Sequence, residues 1–135
     1  VLAPAGTWTE HERGQPIMPA GLSGELIGLS DRDPLGEMVV AACEAHDVHP
    51  VFHTVVQTYQ IARSLVEAGA GMAILDPFTA ASAAPGKVQC RPWAPAIPVQ
   101  LYLLTASHAP LSHGARELAM CIGATAHELL ERGCA

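Results

Sequence analysis

The stretch Val51–Ala80, VFHTVVQTYQIARSLVEAGAGMAILDPFTA, decides the fold. Val51, Val55 and Val56 around Phe52 are β-formers, and Thr58 is placed to cap a helix. Ile61, Ala62, Leu65 and Val66 then recur at helical spacing. Gly69 suits the left-handed residue just past a helix end, and Met72–Leu75 is short, apolar and strand-like. Strand, helix and buried strand in that order predict a βαβ crossover of a parallel sheet. Ligands of such sheets bind beyond the carboxyl ends of the strands, which places Gln57, Thr58, Asp76 and Pro77 at a candidate site.

Elsewhere the pattern repeats. Glu25–Leu29 reads as a short strand, followed by the polar turn Ser30-Asp31-Arg32-Asp33-Pro34. A helix is expected from Leu35 to His46, capped by Asp33, with Pro34 at its first position and Leu35, Met38, Val39, Ala42 and Cys43 on its buried side. A brief helix over Phe78–Ala84, a strand over Val88–Arg91 and a strand over Val99–Thr105 follow. The last helix runs over Ser112–Arg132 with Ala115, Leu118, Ala119, Ile122, Ala126, Leu129 and Leu130 on one broad face. Residues 1–23, rich in Pro and Gly, read as mostly irregular. Alternating strands and helices predict an α/β fold, a mostly parallel sheet with helices on both faces.

The chain also resembles a family. Thr58, then Leu65-Val66-Glu67-Ala68-Gly69-Ala70-Gly71-Met72-Ala73-Ile74-Leu75-Asp76-Pro77, is similar to the capped helix, glycine pattern and Pro-ended strand of the C-terminal effector domain of LysR-type transcriptional regulators. Leu26-Ile27-Gly28-Leu29, Asp33-Pro34-Leu35-Gly36 and Pro98-Val99-Gln100-Leu101-Tyr102-Leu103-Leu104 extend the resemblance over nearly the whole chain. It implies a periplasmic-binding-protein-like domain of two lobes that senses a small molecule in the cleft between them. Residues 5–95 would then be the second lobe. Residues 1–4 and 96–135 would be crossover strands and a terminal helix belonging to a first lobe whose opening units are absent, as is the helix-turn-helix. The implied partners are a small-molecule effector, a second copy of the chain in a homodimer or higher homo-oligomer, and DNA through the missing N-terminal part. No cofactor, no metal, no membrane and no enzymatic activity are expected, and the implied location is cytoplasmic.

Composition agrees with this reading. The 135 residues are 50% hydrophobic but only 4% aromatic, enough for one core with small side chains between helix and sheet. Seven Lys+Arg against 13 Asp+Glu give a net charge of −6, unsuited to contact with phosphate backbones by this segment itself. No apolar run approaches the ~20 residues needed to span a bilayer, and no secretory signal is visible. Cys43, Cys90, Cys121 and Cys134 are far apart with no CxxC, a pattern expected of reduced thiols, with Cys43 and Cys121 as small buried hydrophobes.

Several patterns invite chemistry and are better explained without it. Gly69-Ala70-Gly71 follows a helix and precedes a strand, the reverse of a nucleotide loop, and Ile74 breaks GxGxxG. His46, His49 and His53 lie beside Glu44 and Asp47 but fall on a helix end, a turn and a strand, so convergence on a metal is not expected. There is no GxSxG elbow. Asp31 and Asp33 could form an acid/base pair, as an enzyme would require, yet both sit where free N–H groups and the helix dipole stabilise carboxylates. The candidate effector-binding set is therefore Ser30, Asp31, Asp33, Gln57, Thr58 and Asp76. If its aspartates share one pocket, the ligand carries an amine or guanidine. A small α/β enzyme and a periplasmic-type solute-binding protein are the rival readings.

Overall fold

A computed structural model describes residues 1–30, 33–106, 108 and 110–132. Five strands form one sheet: β1 (Leu2–Pro4), β2 (Leu26–Leu29), β3 (Phe52–Val56), β4 (Met72–Ala73) and β5 (Val88–Cys90), in the order β3-β2-β4-β1-β5. β2 pairs in parallel with β3 on one side and β4 on the other. β1 runs antiparallel to both β4 and β5, so four strands share one direction and β1 opposes them. The helices are α1 (Glu10–Arg13), α2 (Pro34–Glu44), α3 (Tyr59–Glu67), α4 (Pro77–Ala81) and α5 (His113–Arg132), with a 3-10 turn at Pro19–Gly21.

Alternation along the strands covers both faces of the sheet. Leu2, Ile27 and Ala73 pack with Ala62 and Val66 of α3 and Ala80 of α4 on one face. Val1, Ala3, Leu26 and Met72 pack with Trp8 and Ile17 on the other. α2 extends that second face, its Leu35, Val39 and Cys43 meeting the same Leu22, Ile74 and Trp93 that border this second group. The small residues pay off here: Ala62 and Ala73 are almost fully buried and let α3 lie close on the sheet.

The crossover forms as its sequence predicts. Thr58 Oγ1 accepts from the Ile61 N–H at 3.3 Å and starts α3. At the far end Gly69 has φ +85°, its N–H donating to Val66 O and that of Ala70 to Leu65 O, the pair of bonds that closes a Schellman stop. Gly71, at φ +143°, then brings the chain against β2, where Met72 N–H donates to Glu25 O at 2.9 Å. α3 and α4 are tied by Arg63, whose Nη1 donates to Ser82 O and Oγ, and by Glu67, which accepts from Ala84 N–H. On the opposite side, the buried Gln89 amide bonds both backbone groups of Trp8 and anchors the segment before α1.

Several expectations require correction. Leu26–Leu29, Val51–Val56 and Met72–Leu75 are expected as neighbouring buried strands, but the segment at 51–56 is not buried: β3 is an edge strand, with Val51 67% and Val55 60% exposed and only Phe52 and Val56 half-buried. Its β-branched residues mark a strand, but strand propensity does not say whether anything covers it. Residues 99–105 form no strand and join neither edge of the sheet, leaving Tyr102 and Leu104 73% and 89% exposed. β4 is two residues rather than four, and residues 1–23 contribute β1, which occupies an interior position. On α5 only Ala115, Ala119, Ala126 and Leu129 are half-buried, and Leu118, Ile122 and Leu130 stand exposed. Among the other apolar positions, Met38, Ile61 and Cys121 are also exposed, whereas Cys43 is buried. Cys43 and Cys121 are free, but Cys90 is disulfide-bonded, contrary to the expected set of reduced thiols. Spacing along the chain does not report which residues the fold brings together. Cys134 lies outside the described residues.

A Cβ at Gly71 would sit 2.3 Å from the Glu25 carbonyl oxygen, whereas one at Gly69 would meet nothing within 4 Å. Gly69→Ala should therefore cost only its backbone strain, about 1–2 kcal/mol. Gly71→Ala should cost more, about 3 kcal/mol or above, because strain and collision with a ladder carbonyl combine. Urea unfolding of the two variants checks the order; equal losses would mean that β4 can shift away from β2.

Candidate functional site

Each of the three parallel strands hands over to a helix at its carboxyl end, and each handover is capped by a polar side chain. After β2, Asp33 Oδ2 accepts from Gly36 N–H at 2.8 Å, with Pro34 at the first position of α2. After β3, Thr58 caps α3. After β4, Asp76 Oδ1 accepts from Phe78 and Thr79 N–H, both at 2.9 Å, with Pro77 opening α4. A Pro at this position loses no hydrogen bond, and a carboxylate there meets free N–H groups and the positive end of the helix.

The strand order β3-β2-β4 sets these caps side by side. Tyr59, the first residue of α3, binds them together: its hydroxyl donates to Asp33 Oδ1 at 2.6 Å. Both Asp33 oxygens are thus engaged, one by α2 and one by α3. Burial pushes the Tyr59 phenol well above its usual range. The hydrogen bond to Asp33 and the negative charges of Asp33 and Asp76 push it in the same direction. That Asp76 contributes places both carboxylates within electrostatic reach of one half-buried phenol.

The sequence-derived set therefore divides. Asp33, Thr58 and Asp76 assemble around Tyr59. Ser30 lies at the same sheet end, its N–H extending the β2–β3 ladder to Val56 O, but it lines a different, mainly apolar groove between α2 and β3 with Leu29, Val40 and Phe52. Gln57 is exposed. Asp31 lies outside the described residues. Tyr59 was not anticipated; its one signal is a bulky aromatic side chain directly after a strand-end cap, where small or charged residues suffice for helix initiation.

The remaining candidates take local partners. His53 Nδ1 lies 3.2 Å from Glu25 Oε2, and His46 Nδ1 is 2.9 Å from its own helix carbonyl at Ala42. Among the described residues no group of three His, Cys, Asp or Glu side chains is placed to hold a metal ion. None of the described helices is long and apolar enough to cross a membrane.

The Tyr59 bond can be read through pH. A phenol whose folded pKa is raised stabilises the fold below its unfolded value, about 10, and that stability is lost as pH rises above it. Tyr59→Phe should lower stability at pH 7 by about 1–2 kcal/mol, the range for a hydrogen bond to a charged acceptor that is partly solvated. It should also flatten the decline in stability between pH 9 and pH 11 (about the window set by the phenol's reference value). Thermal melts of both proteins across that range check this; parallel pH profiles would remove Tyr59 from the linkage.

A search of the curated proteins finds no match to this chain. The family model described as the LysR substrate binding domain matches residues 1–126. Its span includes the whole sheet, all three caps and most of α5, and the open α/β sheet with helices on both faces is the architecture that the family implies. The chain belongs to the LysR substrate binding domain family.

Proposed function

We propose that the chain is the effector-sensing part of a LysR-type transcriptional regulator, not an enzyme, and that it binds a small metabolite at the carboxyl ends of β2, β3 and β4. The observation that carries this reading is the gathering of Asp33, Thr58 and Asp76 around Tyr59 at one end of the sheet. Parallel sheets of this kind hold ligands at that end. Ser30, Asp31 and Gln57 complete the proposed contact set. The paired carboxylates favour a ligand bearing an amine, such as an amino-acid-like metabolite. Because both carboxylates already accept helix N–H groups, the amine would add to these bonds rather than replace them.

In this reading residues 5–95 form one lobe, and residues 1–4 and 96–135 belong to the crossover and first lobe of a longer, cytoplasmic protein. Closure of the two lobes around the metabolite alters how the regulator assembles on DNA, which it contacts through an N-terminal domain. Closure requires that the ligand bind the closed state more tightly than the open one. Assembly as a homodimer is supported by exposed apolar surface, notably Val51 and Val55 on the β3 edge and Leu118, Met120 and Ile122 on α5. Contiguous exposed patches above a few hundred Å² are uncommon on monomers.

Thr58→Val keeps the volume and removes the hydroxyl. Loss of the cap should cost about 1 kcal/mol of stability, and loss of a ligand hydrogen bond about 0.5–1.5 kcal/mol of affinity. Stability is measured without ligand, affinity by calorimetric titration of the full-length regulator against an amino-acid panel. If Thr58→Val, Asp33→Asn and Asp76→Asn all leave ligand affinity and transcriptional response unchanged, the effector does not bind here.

A further inference from the structure

We draw no further inference here: the strongest candidate, the mainly apolar groove between α2 and the β3 edge lined by Leu29, Val40, Phe52 and Val55, carries nothing beyond the pairing already proposed for that edge, since nothing in the structure shows what covers it.

Discussion

The close passage of Gly71 over the Glu25 carbonyl is the constraint on which the rest depends. It lets α3 end, the chain reverse and β4 join β2 with only residues 68–71 between helix and strand. Any side chain there would hold β4 away from β2. The sheet order would then lose its centre, and the caps after β2 and β4 would no longer follow neighbouring strands. Packing on both faces follows from the same contact, because Met72 and Ala73 belong to opposite core groups and each needs β4 in register with Leu26 and Ile27.

The candidate site is built from parts that the fold already requires. Asp33, Thr58 and Asp76 each satisfy N–H groups that a helix start leaves unpaired. Their charge and hydroxyl are placed by helix initiation, and strand order then collects them. Tyr59 adds what capping does not require: a bond from the start of α3 to the carboxylate that caps α2. If the proposed site is right, stability and recognition share residues, and separating them needs measurements with and without ligand.

Much apolar surface remains uncovered, and it is concentrated. The β3 edge, residues 99–104 and the outer side of α5 contain most of the large exposed hydrophobic residues. Val99–Leu104 has β-forming residues yet stays irregular, since strand propensity alone does not supply a pairing partner.

The sequence by itself determined the local elements: the caps at Asp33 and Thr58, the glycine stop at Gly69, the βαβ order and the family. These depend on short-range chemistry, since a cap or a stop is satisfied within four residues. Burial and convergence were decided only by the tertiary structure. Val55 and Val66 are the same residue type, yet one lies on an open edge and the other is sealed between α3 and the sheet. Tyr59 reaches Asp33 across 26 positions, and Arg91 reaches Gln15 across 76, because strand pairing sets those distances. Pattern and propensity report what each residue does to its neighbours in sequence, while a site depends on which strands end side by side.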